Sequence, residues 1–125
     1  MSTAEPRPGA HAARARAAAP LFAALGDETR LQMLMRLAAS GPESIAQMSA
    51  KSHVSRQAIT KHLQVLEHAG FVVGERRGRE HIWRIEPRQF AQVHDHLARI
   101  SKQWDEALER LRAFVDDEEM GSARP

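Results

Sequence analysis

Val54-Ser55-Arg56-Gln57-Ala58-Ile59-Thr60-Lys61-His62-Leu63-Gln64-Val65-Leu66-Glu67-His68-Ala69-Gly70 carries two patterns at once. Ile59, Leu63 and Leu66 recur at helical spacing and predict a face turned to a core. Ser55 is placed to cap the first turn, with Arg56 and Gln57 just inside it. His68 falls in the last turn, where a partial positive charge suits the helix dipole, and Gly70 suits the left-handed residue that closes a helix. The outward face carries Ser55, Arg56, Gln57, Thr60, Lys61 and Gln64, with no acid before Glu67. Such hydroxyls, amides and cations suit base edges and phosphates: Arg and Lys reach guanine acceptors, and Gln pairs with adenine. A solvated surface has a similar composition, so the flanking sequence decides.

Upstream, Gly26 ends an apolar segment, Leu21 to Leu25, and Asp27 caps the next helix. Leu31, Leu34, Leu37 and Ala38 form one apolar stripe along 28–40, which Ser40-Gly41-Pro42 stops. Ser44 with Gln47 three places on reads as a capping box and opens a short helix at about 44–51. Lys51-Ser52-His53 then makes a short turn. Two helices so joined, the second with a polar outer face, form a helix-turn-helix. Residues 1–12 hold two prolines, a glycine and little apolar surface, and are expected to be a disordered tail. The Ala/Arg-rich stretch 12–19 favours helix, and Pro20 either kinks it or opens a second one.

Downstream of Gly70 the period changes to that of strands. Phe71-Val72-Val73 begins one, Gly78-Arg79 suits a two-residue hairpin turn, and Glu80 to Ile85 returns with His81, Trp83 and Ile85 on one face. Arg76, Arg77 and Arg79 cluster at the tip of this hairpin, which spans about 72–85. After Glu86-Pro87, the residues Phe90, Val93, Leu97, Ile100, Trp104, Leu108, Leu111 and Val115 recur every three or four places, a near-heptad stripe on a helix of roughly thirty residues. A domain of this size cannot cover that whole stripe, so the helix asks for a partner, most simply a second copy of the chain. Glu118 to Pro125 reads as a flexible polar tail.

The chain's 125 residues suffice for one domain, expected over 13–117. It has no cysteine, which excludes disulfides, thiolate metal sites and thiol redox sensing. No membrane-spanning run or signal peptide is legible, and a cytoplasmic location is expected. The formal charge of +2 is unevenly spread. Residues 51–90 hold Lys51, Arg56, Lys61, Arg76, Arg77, Arg79, Arg84 and Arg88 against Glu67, Glu75, Glu80 and Glu86, whereas 91–125 is net acidic. A basic middle suits a face presented to a polyanion.

Taken together, these segments resemble the ArsR/SmtB-type family of small bacterial winged-helix repressors. Leu21 to Ala38, with Gly26-Asp27-Glu28-Thr29-Arg30, looks like the family's opening helices. Glu43 to Ile85, with Ser55, Thr60-Lys61-His62-Leu63, Leu66, Ala69-Gly70, Gly78 and Trp83, looks like its helix-turn-helix and wing. The resemblance covers about residues 20–86. It implies a mainly α fold with a β-hairpin wing and a long terminal dimerisation helix. It implies that Ser55, Arg56, Gln57, Ala58, Thr60 and Lys61 face the major groove of double-stranded DNA, with Arg77 and Arg79 on the wing. It further implies a homodimer joined through the first and last helices, for which the candidates are Leu21, Phe22, Phe90, Val93, Leu97, Ile100, Trp104, Leu108 and Leu111.

The departures from the family concern the signal. Where many members carry metal-binding cysteines, this chain reads Ile45-Ala46-Gln47-Met48. His94, Asp95, His96, Asp105, Glu106 and Glu109 are ligand types at the wrong spacing, and two histidines two places apart on a helix point in different directions. No metal or cofactor is expected, and the inducer is unassigned. The alternative function is a winged-helix module for protein contact, which calls for an apolar or acidic face where 55–64 is polar and basic. Catalysis is not expected, since no nucleophile–base spacing or phosphate-binding glycine loop is present.

Overall fold

The computed structural model describes residues 9–122, with side chains to Glu119. Its elements run α1 (Ala10–Leu25), α2 (Glu28–Ser40), β1 (Glu43–Ser44), α3 (Ile45–Ala50), α4 (Arg56–His68), β2 (Val72–Arg77), β3 (Glu80–Ile85) and α5 (Pro87–Ser122). The chain divides into one unit up to Val93 and a second from His94. The three strands form an antiparallel sheet in the order β1-β3-β2.

In the first unit the core gathers Leu21 and Ala24 of α1, Met33, Leu34 and Leu37 of α2, Met48 of α3, and Ile59, Leu63 and Leu66 of α4. Phe71, Val72, Trp83 and Val93 complete it. The three apolar residues of the quoted stretch are thus the inner face of α4, as their spacing predicts. On α2 the stripe is rotated. Met33 is buried, while Leu31 is exposed and lines an open apolar groove of about 410 Å³ with Leu25, Met35, Ala38, Ile85 and Phe90. Leu31 and Met33 both fit a helical period, and only the neighbouring elements decide between them.

Local chemistry sets the element ends. Asp27 accepts the Arg30 backbone N–H at 3.0 Å as the cap of α2, and this bond is the main reason its carboxyl lies below its ordinary value of 3.8. The carboxylate therefore favours the folded state above that value and ceases to do so as pH falls through the lowered one. Arg30 closes the helix before it: its Nε donates to the Ala24 carbonyl at 2.7 Å and an Nη to that of Ala23 at 3.2 Å. A capping box forms as expected, with Gln47 N–H on Ser44 Oγ and Ser44 N–H on Gln47 Oε1. At the end of α4, Gly70 takes φ +86°, its N–H donates to Glu67 and that of Phe71 to Leu66, which is a Schellman closure.

Two expectations are corrected. The tail assigned to 1–12 is helical from Ala10, because alanines on either side of His11 favour helix, and its first eight residues lie outside the described ones. The choice left open at Pro20 falls to a single helix, Ala10–Leu25, with the proline inside it. The tail assigned to 118–125 continues α5 to Ser122, with only 123–125 outside the described residues, so that α5 has 36 residues rather than roughly thirty. The strand β1 was not foreseen, since two residues carry no period.

Candidate nucleic-acid interface

Helix α4 presents its outer face because its inner face is fully committed to the core. Ser55 caps it, accepting the Ala58 N–H at 3.2 Å and keeping its own O–H to donate. Arg56, Gln57, Lys61 and Gln64 are exposed and, with half-buried Thr60, line a shallow groove of about 460 Å³. Thr60 Oγ1 donates to the Arg56 carbonyl at 2.8 Å, which leaves its oxygen able only to accept from a further partner. Ala58 is half-buried at the edge of this face. Among the described residues, neither Arg56 nor Lys61 forms an ion pair within the chain, so both cations are available to an external anion.

Beside this face stands the hairpin of β2 and β3. Arg77 pairs with Glu80 across a two-residue turn in which Gly78 takes φ +63° and Arg79 stays at negative φ, as a turn with glycine in its first central place requires. The tip is basic, but not uniformly so. Arg77 lies 3.7 Å from Glu75, whose other oxygen is 3.8 Å from Arg84. Arg76 and Arg79 have no such partner among the described residues. Arg79 is therefore the freer of the two expected wing cations, and Arg76, which the sequence places in the same cluster, is as exposed and as free of an acid. Lower on the hairpin, His81 stacks on Trp83 at 4.6 Å, across Gly74, where a side chain would strike the His81 ring.

His62, next to Lys61, does not belong to the outer face. It is half-buried, with Nδ1 3.4 Å from an Nη of Arg30, and so joins α4 to the residue that closes α1. The residues expected at a subunit interface divide. Leu21 and Val93 are buried in the chain's own core, and Phe22 and Phe90 pack partly against it. Their apolar surface is thus largely used within one chain. Leu97, Ile100, Trp104, Leu108 and Leu111 stand 43–65% exposed. At the position of the family's metal-binding cysteines, Gln47 is spent on the capping box and Met48 on the core. Among the described residues no three His, Asp or Glu side chains gather as a metal would require.

A helix-turn-helix domain model matches residues 25–75. The chain is 32% identical over 95 residues to the HTH-type transcriptional regulator Rv2034 of Mycobacterium tuberculosis, covering 76% of this chain and 85% of that one. Its structure matches an ArsR-like transcriptional regulator from Rhodococcus with a TM-score of 0.69 at 35% identity, over 77% of this chain and 90% of that one. The chain belongs to the ArsR/SmtB family of winged-helix transcriptional regulators. This ArsR/SmtB protein is accordingly a DNA-binding regulator and not an enzyme, and α4 and the β2–β3 hairpin are its recognition helix and wing. A further match is the homodimeric winged helix-turn-helix DNA-binding domain Mb0332 from Mycobacterium bovis, with a TM-score of 0.56 at 25% identity over 88% of this chain and 95% of that one. No described helix is long and apolar enough to cross a membrane.

Proposed function

We propose that this ArsR/SmtB regulator is a homodimeric repressor that occupies a promoter with two copies of α4 in successive major grooves, about 34–36 Å apart. The observation that carries the reading is the outer face of α4, where Gln57 and Gln64 lie exposed beside Arg56 and Lys61, two cations with no acidic partner among the described residues. In this reading Ser55, Arg56, Gln57, Ala58, Thr60 and Lys61 meet the DNA, and Arg77 and Arg79 hold the wing against the backbone. The homodimer is supported by the dimeric state of the Mycobacterium bovis domain and by the exposed apolar stripe of the terminal helix. Repression follows from occupancy, since a dimer spanning two half-sites excludes polymerase from the same stretch.

The test is fluorescence anisotropy on DNA from upstream of the protein's own coding sequence, against scrambled competitor and at two salt concentrations. Gln57→Ala is expected to cost about 1–3 kcal/mol on the best site and much less on scrambled DNA, because only the former offers the matching base edge. Equal losses on both would remove Gln57 from base readout. Arg79→Ala is expected to weaken all DNA alike and to lower the slope of log affinity against log salt by about one per protomer. A sequence-selective loss would instead give the wing a share in readout.

A further inference from the structure

Among the described residues Glu43 is the one charged residue of the buried core: it is 3% exposed, on a two-residue strand at the edge of the sheet. A carboxylate taken from water costs several kcal/mol unless its oxygens are matched. Here one is. Oε1 lies 3.1 Å from Nζ of Lys51, which leads from the end of α3 into the turn before α4. Oε2 is buried and has no hydrogen-bond partner among the described residues. Directly opposite Glu43 in the ladder is Trp83 of β3, whose indole Nε1 is likewise buried and unmatched. Opposed residues of an antiparallel pair share one face of the sheet. The carboxylate oxygen can only accept and the indole N–H can only donate, so the two unmatched groups are complementary.

A residue selected for packing alone would be apolar, and an ion pair with one half-exposed partner adds little stability. We propose that Glu43 is a positioning residue for the DNA-binding surface. Its carboxylate holds Lys51 and with it the turn that leads into the recognition helix, while its backbone, in the β1–β3 pairing opposite Trp83, holds the base of the wing. The wing tip and the outer face of α4 are thereby held at one spacing before DNA arrives, which spares the complex the cost of ordering them on contact. The value of that spacing for affinity rests on the reading that the wing touches DNA.

The protein has no cysteine, so Gln64→Cys and Arg79→Cys introduce the only two spin-label sites per chain, one on α4 and one at the wing tip, and labelled chains diluted into unlabelled ones report the distance within one protomer. The label-to-label distance, measured by pulsed electron resonance on the free protein, is expected to be narrow with Glu43 in place and at least twice as broad with Glu43→Gln. The urea midpoint is expected to move little, because Gln keeps the volume and removes a buried charge. Lys51→Met is expected to broaden the distance in the same way, and the double variant no further. An unchanged distribution in folded Glu43→Gln overturns the proposal, whatever happens to DNA binding. Affinity for DNA, measured without labels, tests the reading beneath it. Glu43→Gln is expected to weaken binding about three- to tenfold, as for one or two misplaced phosphate contacts, and to have no further effect beside Arg79→Ala. A broadened distance with unchanged affinity upholds the tie and refutes the wing contact.

Discussion

Phe71→Ala will lower the stability of the protein by about 3–5 kcal/mol, a large part of the ~5–15 kcal/mol that separates a typical domain from its unfolded chain. Phe71 is fully buried, and its ring lies 5.0 Å from that of Phe90, tilted by 56°. Its backbone is committed as well. The N–H donates to Leu66 in the closure of α4, and the carbonyl accepts from Glu86 at the start of the terminal helix. The side chain thus fills the point where the recognition helix ends, the wing begins and α5 sets out. Removing it leaves a cavity that three anchored segments cannot readily collapse into. A fall in urea midpoint at unchanged slope would measure the loss. Phe71→Leu is expected to cost far less, because most of the volume remains. A loss below about 1 kcal/mol for Phe71→Ala would show that the core at this junction is loosely packed. The ring pair itself is expected to couple Phe71 and Phe90 by about 0.5–1.5 kcal/mol in a double-mutant cycle.

Much of this architecture is legible in the order of residues. Where one segment carries its own signals, reading and structure agree. The cap at Ser55, the box of Ser44 with Gln47, the left-handed Gly70 and the turn at Gly78 each depend on residues within a few places of one another. Disagreement begins where a choice depends on something distant. Leu31 and Met33 fit the period of α2 equally well, and the packing of α3, α4 and β3 settles which one is buried. Strand β1 exists only because β3 passes beside it, so nothing within Glu43–Ser44 announces it. Burial of Glu43 was unreadable for the same reason, and so was the partnership of Arg30 with His62, thirty-two places away.

The recognition surface followed a similar division. That Arg56, Gln57 and Lys61 face outward follows from the apolar spacing of Ile59, Leu63 and Leu66 alone. Which cations remain free is a property of the fold. Arg77 and Arg79 look equivalent in sequence, yet Glu75, two places before Arg77 on the same face of β2, lies 3.7 Å from it, while Arg79 in the turn has no acidic partner among the described residues. Net charge over a segment therefore overstates what the wing offers to a polyanion, and the unpaired cations are the better measure.

Trp104→Gln with Leu108→Gln is expected to abolish the dimer at micromolar concentration and to weaken binding to a two-half-site operator at least a hundredfold. The two residues are four apart on α5 and stand 65% and 56% exposed within one chain, with Leu97, Ile100 and Leu111 continuing the same stripe. None of these belongs to the core of the first unit, so the winged helix itself should fold as before. Glutamine is a good helix former and adds no charge that DNA could sense, which confines the change to the stripe. In a two-fold interface each substitution acts twice. A buried tryptophan is commonly worth ~2 kcal/mol or more, so the pair of sites removes at least ~4 kcal/mol, about a thousandfold in dimer dissociation. Affinity follows because the second recognition helix then has to be recruited from bulk solution instead of at millimolar effective concentration. Light scattering on the eluting protein gives the oligomeric state, and anisotropy on whole and half operators gives the affinities. Binding to a half-site is expected to change little, which separates loss of the dimer from damage to the reading surface. A variant that remains dimeric would move the subunit contact off this stripe and onto other apolar surface, such as the groove around Leu31 and Met35.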